Sequence, residues 1–353
     1  MNTPIPIRNI WILFLYAADL VQVRDRFESE VEAARNLPDL IGRLLTRSVE
    51  ERLKRNLSRG YRPKTAVLTR VRGRIDVLNT SSRRLMDRGF VACQFEEHTL
   101  DTARNRLARV ALTHLAARVS DDLVAHHCRQ LAGDFARLGV SGIRPSRAEI
   151  ASDQIARNEI DDRFMVALAK LVFEVLIPSE DSGMTAAMTP ETNPYLVRRL
   201  FERAVGNALR LELGTSGWAV HQGRRLSWPT TMRTPGLSAV LPGMQTDIEL
   251  NQLATGRRII IDTKFASIMT RSNYREQILK SGYLYQLYAY LRTQEREDDQ
   301  ASFSVEGLLL HPQTGGSIDE AMELQGHRMR FKTIDLTANS AEFETELRNI
   351  VEV

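Results

Sequence analysis

The sequence predicts a mixed α and β (α+β) protein of two domains: a helical N-terminal domain that carries a strand or β-hairpin, and a C-terminal α/β domain. The 353 residues are 43% hydrophobic and 26% charged, an ordinary globular composition, and at roughly 150 residues per domain the length accommodates two. A stretch at 178–194 is rich in Pro, Ser, Thr and acidic residues, as linkers are. After this stretch the predicted elements follow the order helix, strand, hairpin, helix, strand, which is typical of an α/β sandwich. We therefore expect domains at 1–180 and 190–353.

The basic residues are concentrated in the first half of the chain. The net charge is only +4, from 48 Lys and Arg against 44 Asp and Glu. Residues 1–150 nevertheless hold 26 basic and 17 acidic side chains, whereas residues 151–353 hold 22 and 27. Within 43–88 the ratio is 14 to 4. Such asymmetry indicates a polyanion or an acidic partner for the N-terminal half.

Several classes of protein are excluded at this stage. The longest apolar run, at 10–18, has nine residues and is too short to span a bilayer. It follows a Pro-rich start and precedes no small-residue cleavage site, so we expect no secretory signal and a cytoplasmic location. The two cysteines, Cys93 and Cys128, exclude a disulfide framework and a Cys-rich zinc module. No Gly is followed by Lys, which excludes a Walker A loop, so any nucleotide hydrolysis is expected to come from another chain.

Helical patterns dominate the N-terminal half. Residues 8–22 are apolar on nearly every face, which predicts a buried helix or a strand–helix junction. Apolar residues at helical spacing predict further helices over 37–57, within 99–138 and over 164–177.

The period changes to two between these helices. From Val67 to Val77 the odd positions are mostly apolar, while Arg70, Arg72 and Arg74 occupy even positions. This alternation predicts a half-buried strand or hairpin with an arginine face, and Gly73 predicts a bulge or bend in it. The arginine row is either a solvated strand face or a docking surface for phosphate or an acidic protein, since Arg binds carboxylates and phosphates in bidentate fashion. The pattern does not separate DNA from protein.

The C-terminal half alternates between the helical and the strand period. A helix is expected at 194–213, with Asn193 as N-cap and Pro194 at the first helical position. The remaining predicted elements are strands at 218–222, 245–250 and 258–265, a helix at 272–293, and strands at 303–310 and 329–336.

Acidic residues and a lysine meet on the predicted hairpin of 245–250 and 258–265. If its turn centres between Ala254 and Thr255, Asp247 lies directly opposite Asp262, with Cβ atoms about 5 Å apart. Lys264, two residues beyond Asp262, projects from the same face. Two facing carboxylates repel unless a cation or a proton intervenes.

A divalent ion such as Mg²⁺ resolves this repulsion, because it is usually held by one or two carboxylates and substrate phosphates. Such an ion polarises a phosphodiester and lowers the pKa of a bound water, and Lys264 would orient that water or stabilise charge on the phosphate. The pattern therefore predicts metal-assisted hydrolysis. The alternative is an exposed Asp-Thr-Lys at a strand end without catalytic role, since an acid-x-Lys tripeptide alone has a substantial false-positive rate.

The helix after the hairpin adds two polar groups. Gln286 and Tyr290 are spaced i, i+4 and share a helix face, from which they can reach a phosphate or a water. The tyrosines and leucines of 283–290 also fit an aromatic core stripe. The two interpretations are compatible.

The chain resembles the McrC family, the nuclease subunits of McrBC-type (type IV) modification-dependent restriction systems. The similarity covers most of the chain, in matching order and spacing. The similar stretches are 5–11 (IPIRNIW) with its apolar continuation to residue 17, 72–76 (RGRID), 246–247 (TD), 261–264 (IDTK) and 285–290 (YQLYAY).

The resemblance implies a restriction-endonuclease-like PD-(D/E)xK fold for the C-terminal domain. It implies that Asp247 and Asp262 are metal ligands, that Lys264 is the catalytic lysine, and that Gln286 and Tyr290 support the site as a QxxxY motif. In many such nucleases an acid on the first helix contributes as well. Glu202 has that position, although no McrC motif identifies it.

The resemblance also implies a partner. McrB is an AAA+ GTPase that carries the DNA-reading domain, and the N-terminal half of McrC docks into its hexameric ring and stimulates its GTPase. GTP would thus be bound by the partner, the substrate would be double-stranded DNA with modified cytosine, and Arg70, Arg72 and Arg74 would face the ring. Two alternatives remain open: a regulatory adaptor of an AAA+ ring with an inert nuclease fold, and a stand-alone DNA repair nuclease.

Overall fold

The computed structural model of the chain describes residues 5–176, 194–265, 269–270, 278–313 and 316–351. The described α-helices are α1 (Ile7–Ala18), α2 (Glu28–Ala33), α3 (Leu37–Lys54), α4 (Val77–Ser82), α5 (Ala103–Leu115), α6 (Asp122–Arg137), α7 (Arg147–Ser152), α8 (Ile160–Leu176), α9 (Pro194–Leu213), α10 (Leu237–Val240), α11 (Ser281–Arg292) and α12 (Ser340–Arg348). The described strands are β1 (Gly60–Leu68), β2 (Arg74–Ile75), β3 (Val91–Thr99), β4 (Trp218–Gln222), β5 (Arg225–Leu226), β6 (Met244–Gln245), β7 (Ile248–Gln252), β8 (Arg258–Thr263), β9 (Met269–Thr270), β10 (Ile278–Leu279), β11 (Glu306–Pro312), β12 (Asp319–Leu324) and β13 (His327–Ile334). None of the described helices is both long and apolar enough to cross a membrane.

The chain divides into two compact units, and the division differs from the predicted one. One unit, which we call the sheet unit, comprises Met1–Glu32 and Ala187–Val353, and the other, the helical unit, comprises Ala33–Ala186. Most of the predicted linker at 178–194 lies outside the described residues. The assignment of residues 1–32 to the N-terminal domain is corrected.

The physical reason for this correction is the burial of α1. The Asn9 side chain donates hydrogen bonds to the backbone oxygens of Leu336 and Ala338, both at 2.9 Å. The Asn207 side chain on α9 donates to the backbone oxygen of Tyr16 at 2.8 Å. The apolar faces of α1, predicted to be buried, are therefore covered by the C-terminal half of the sequence.

The helical unit is built around α3, α5, α6 and α8, which pack on one another. Helix α3 begins where the Asn36 side chain accepts a hydrogen bond from the backbone nitrogen of Asp39, as N-caps do. Arg104 is almost fully buried, and its guanidinium is neutralised by ion pairs to Asp153 at 2.6 Å and Asp162 at 2.9 Å. A buried charge requires such pairing.

This unit also contains a three-stranded antiparallel sheet in the order β1-β3-β2, which corrects the predicted strand at 67–77. Strand β1 ends at Leu68, because β1 and β2 pair with opposite edges of β3 and the chain must cross between them. Gly73 forms the predicted bend at a φ of +68°. Arg70 and Arg72 therefore lie in the connection and Arg74 in β2, so the three do not form one strand face.

The sheet unit contains a mixed six-stranded sheet in the order β12-β13-β11-β8-β7-β4. Strands β8, β11 and β13 are mutually parallel, while β7 runs antiparallel to β8 and β4. On one face Ile260 and Leu309 pack against Leu287 and Leu291 of α11. The alternating residues of β8 and β11 are also buried, so the central strands are covered on both faces, as parallel strands usually are.

Other predicted boundaries shift. The helix expected at 272–293 begins at Ser281, while 271–277 lie outside the described residues. The strand expected at 303–310 is β11, which begins at Glu306 after a 3-10 turn. Strand β12 and helix α12 were not predicted.

Replacing Gly73 by Ala is expected to destabilise the helical unit more than replacing Gly89 by Ala. Both glycines have a positive φ, of +68° and +74°, a backbone region that costs an L-residue about 1–2 kcal/mol. An added Cβ at Gly73 would also lie 2.5 Å from the backbone oxygen of Gln94, whereas at Gly89 nothing lies within 4 Å. Urea unfolding of Gly73→Ala and Gly89→Ala measures the difference, and equal losses would contradict the described turn.

Candidate active site

The β7–β8 hairpin has the register predicted from the sequence. Ile248 pairs with Ile261 and Leu250 with Ile259, so Asp247 and Asp262 are the next facing positions beyond the last ladder pair. Asp262 is the penultimate residue of β8, at the end of the strand where the parallel ladder with β11 also ends. The two carboxylates are thus brought to one edge of the central sheet.

Asp247 lies between two strands and not within one, which corrects the predicted continuous strand at 245–250. The ladder between β4 and β7 is interrupted, and it resumes as the short pair β5–β6. At the interruption the backbone nitrogen of Gly223, at a φ of +66°, donates to the backbone oxygen of Asp247 at 2.9 Å. Irregularities of this kind often re-aim a side chain beside an active site.

The Asp247 carboxylate is held by the strand that it faces. Its Oδ2 accepts hydrogen bonds from the backbone nitrogen of Thr263 at 2.7 Å and from the Thr263 hydroxyl at 2.8 Å. One carboxylate oxygen is therefore fixed by two donors of the Asp-Thr-Lys segment. The sequence pattern gave no sign of this role of Thr263, although the residue stands between Asp262 and Lys264.

Asp262 is buried, at 1% exposure, and its charge is matched by Lys264. The Lys264 ammonium lies 2.8 Å from Oδ1 and 2.6 Å from Oδ2 of this carboxylate. Oδ2 makes this ion pair but accepts no well-aligned hydrogen bond from the described residues. The pKa of the Asp262 carboxyl is raised to about 6, because burial, with a smaller contribution from the charge of Asp247, outweighs the opposing effect of Lys264.

Helix α11 brings Gln286 and Tyr290 to the same site. The Gln286 amide donates a hydrogen bond to the Tyr290 hydroxyl at 2.6 Å, so the predicted shared face is confirmed. Burial raises the pKa of the Tyr290 phenol, and the charges of Asp262 and Asp247 contribute in the same direction. The phenol is therefore within electrostatic reach of both carboxylates. The Lys264 ammonium lies 5.5 Å from the ring centroid of Tyr283 on the same helix.

Glu202 on α9 is the third carboxylate of this region. Burial raises its pKa, and the charge of Asp247 is the next largest cause. Within the described ranges, however, no three His, Cys, Asp or Glu side chains form a group arranged to hold a metal ion. The arrangement is a pair of facing carboxylates, and Glu202 is close enough to Asp247 for their charges to interact.

Arg198 is a further residue that the sequence analysis missed. It lies one helical turn before Glu202 on α9 and is exposed. Its charge lowers the pKa of both Glu202 and Asp262. An amphipathic helix with several surface arginines gives no signal that would single it out.

The fold of the chain is similar to that of a chain in a solved McrBC assembly. A chain from a refined half-complex of the tetradecameric assembly of Thermococcus gammatolerans McrB AAA+ hexamers with bound McrC matches with a TM-score of 0.50 and 17% identity, over 98% of this chain and 76% of that chain. A cryo-EM structure of the Thermococcus gammatolerans McrBC complex matches with a TM-score of 0.41 and 19% identity, over 60% of each chain.

Sequence comparisons cover nearly the whole chain. The type IV methyl-directed restriction enzyme EcoKMcrBC of Escherichia coli (strain K12) is 23% identical over 334 residues, which are 94% of this chain and 93% of the relative. The family model described as the McrBC 5-methylcytosine restriction system component matches residues 8–312. Because this match spans most of the length and includes the whole carboxylate–lysine hairpin, the chain belongs to the McrBC 5-methylcytosine restriction system component family.

Proposed function

We propose that this chain is the Mg²⁺-dependent DNA endonuclease subunit of a GTP-driven, modified-cytosine-dependent restriction complex, with a catalytic domain of the PD-(D/E)xK type. The observation that carries the proposal is the open end of the β7–β8 hairpin, where Asp247 and Asp262 face each other beside Lys264. Two carboxylates and an ammonium at the end of a central strand provide the charges that phosphodiester hydrolysis needs.

The chemistry of the donor set fits a hard divalent cation. Asp247 has one oxygen fixed by Thr263, and Asp262 is buried and is repelled by Asp247. Mg²⁺ is usually bound by one or two carboxylates and by substrate phosphates, so Asp247 and Asp262 would hold it and Glu202 would lie beside it. When bound, the ion would supply a Lewis acid for the phosphate and a lower pKa for the attacking water.

The side chains of this domain have distinct roles in the proposed reaction. The ammonium of Lys264 would donate hydrogen bonds to the attacking water or to the phosphate oxygens on which negative charge develops. The Gln286 amide fixes the Tyr290 hydroxyl, so this pair would orient the water or a phosphate oxygen. Thr263 keeps the Asp247 carboxylate in place.

We propose an AAA+ GTPase partner that binds the GTP. In the Thermococcus gammatolerans assembly, McrC is bound to McrB AAA+ hexamers, and the E. coli relative is a methyl-directed restriction enzyme. The present chain has no Gly-Lys pair and hence no Walker A loop. This assignment requires two binding partners. One is a hexameric protein that hydrolyses GTP, and the other is double-stranded DNA with modified cytosine.

The surface around the β1-β3-β2 sheet of the helical unit is the proposed docking region for that partner. It combines basic side chains with five exposed apolar side chains, and exposed apolar patches of this kind often mark protein interfaces. Arg70 and Arg74 are exposed, and the Arg72 guanidinium lies 4.2 Å above the ring centroid of Phe95. The exposed apolar members are Tyr61, Val71, Val77, Leu78 and Met86.

Removing the charges of the carboxylate–lysine site is expected to abolish cleavage. In the complex with its partner, Asp262→Asn and Lys264→Met should each lower the cleavage rate of modified DNA by at least about 100-fold, because the first removes a ligand of the proposed metal ion and the second removes a donor to the attacking water or the phosphate. Both variants should stimulate the partner GTPase as the wild type does. Asp298→Asn, at a largely exposed ion pair with Arg296, is the matched control and should cleave normally. Full cleavage by the two site variants would refute the assignment.

Changing the proposed docking region is expected to weaken stimulation of the partner GTPase, which the active-site variants leave intact. The double variant Arg70→Glu, Arg74→Glu should weaken stimulation of the partner GTPase, because it reverses the charge that meets the partner surface. The separate variant Leu78→Asp should weaken it as well, because a carboxylate would be buried in the interface without its water. Arg157→Glu and Leu123→Asp are the controls in the same unit, and Leu123 is 82% exposed against 84% for Leu78. A GTPase titration with increasing amounts of each variant measures the effect. Equal behaviour of the test and control variants would count against this docking region.

A further inference from the structure

The connection at 223–243, which includes β5 and α10 and which we call the loop at 223–243, is basic although it belongs to an acidic half of the sequence. Residues 223–246 contain three arginines and no Asp or Glu, whereas 151–353 as a whole hold more acidic than basic side chains. Most of the loop is exposed. A positively charged surface in an otherwise acidic domain indicates a negatively charged ligand.

The base of this loop is hydrogen-bonded to the backbone of the candidate active site. The backbone nitrogen of Gly223 donates to the oxygen of Asp247 at 2.9 Å, and that of Thr246 donates to the oxygen of Arg224 at 3.0 Å. Since β7 is antiparallel to β8, this base lies at the end of the sheet where β8 reaches Asp262. The loop therefore extends the sheet edge that carries the two carboxylates.

Contacts within the loop give it a defined shape. The Trp228 indole nitrogen donates to the backbone oxygen of Pro242 at 2.7 Å, which joins its two arms. The Arg233 guanidinium donates to the backbone oxygen of Trp228 at 3.2 Å and to the Thr230 hydroxyl at 2.5 Å. The Gln294 side chain, next to α11, donates to the backbone oxygen of Ser227 at 3.2 Å. A pre-ordered loop loses little conformational entropy when a ligand binds.

The exposed side chains of the loop are of two kinds. Arg225 is exposed and forms no ion pair with the described residues, in contrast to Arg224, which is paired with Glu249. Met232 and Val240 are each 75% exposed. Arginines that neutralise phosphates, together with apolar side chains that enter a groove, are how many proteins hold duplex DNA beside a reacting strand.

We propose that the loop at 223–243 lies along duplex DNA next to the scissile phosphate, with Arg225 on the phosphate backbone and Met232 against the groove. This inference rests on the proposed nuclease function. It assigns to the sheet unit a DNA contact of its own, separate from the sequence reading of the partner. The charge complementarity of an acid-free basic loop and its attachment to Asp247 are the observations that favour DNA as the occupant.

A photocrosslinking experiment tests the contact directly. The photoreactive residue p-benzoylphenylalanine is introduced at Met232, and as a control at Leu253, which is 77% exposed at the opposite end of β7. In the complex with the partner and modified duplex DNA, with Ca²⁺ in place of Mg²⁺, the probe at 232 should give a DNA adduct and the probe at 253 should not. An adduct to the partner protein, or equal DNA adducts from both positions, would overturn the proposal.

The salt dependence of DNA binding provides a second readout. Arg225→Gln should lower the slope of log Kd against log salt by about one, as expected when one phosphate contact is lost. Arg328→Gln, at an exposed position at the start of β13 and at the far end of the sheet from Asp262, should leave the slope unchanged. An unchanged slope in Arg225→Gln would contradict the proposed phosphate contact.

The outcomes separate this inference from the nuclease assignment. Cleavage by the wild-type complex without a DNA adduct at 232 refutes the loop contact and leaves the nuclease assignment intact. A DNA adduct at 232 without any cleavage by the wild-type complex refutes the nuclease assignment and leaves the loop contact intact.

Discussion

The mutual repulsion of Asp247 and Asp262 is the constraint around which the sheet unit is organised. Asp262 is buried and Asp247 is half-buried, and the register of the hairpin puts them opposite each other. Without a counter-charge this arrangement is unfavourable, since burial and like charge both penalise ionised carboxylates. The chain supplies Lys264 to one carboxylate and the donors of Thr263 to the other. Each carboxylate therefore has a partner that compensates part of its negative charge.

The rest of the unit packs around this end of the sheet. The central strands are covered on both faces, and α11 brings Gln286 and Tyr290 over the end of β8. The interruption opposite Gly223 frees Asp247 from the regular ladder and starts the loop at 223–243 at the same point. One local irregularity therefore positions the proposed metal ligand Asp247 and begins the basic loop that we propose to contact DNA. The interruption of the ladder thus connects the fold to the chemistry that we propose for it.

The sequence predicts the site better than the architecture around it. The facing of Asp247 and Asp262 follows from one turn position, and the meeting of Gln286 with Tyr290 follows from helical spacing, so both depend on local geometry alone. The position of residues 1–32 depends on segments that lie 191 to 327 residues away in the chain, such as the helix that carries Asn207, and local patterns carry no such information. The strand expected at 67–77 fails for a related reason, because alternation does not reveal that β1 and β2 pair with opposite edges of β3.

Calorimetric titration of the full chain with Mg²⁺ at pH 8 tests the central claim most directly, because it measures the carboxylate pair without partner, GTP or DNA. At this pH Asp262, whose pKa is about 6, is ionised. We expect saturable binding to the wild type, loss of that binding in Asp262→Asn, and unchanged binding in Asp298→Asn, which removes an exposed carboxylate. Equal Mg²⁺ binding by the wild type and Asp262→Asn would contradict the account.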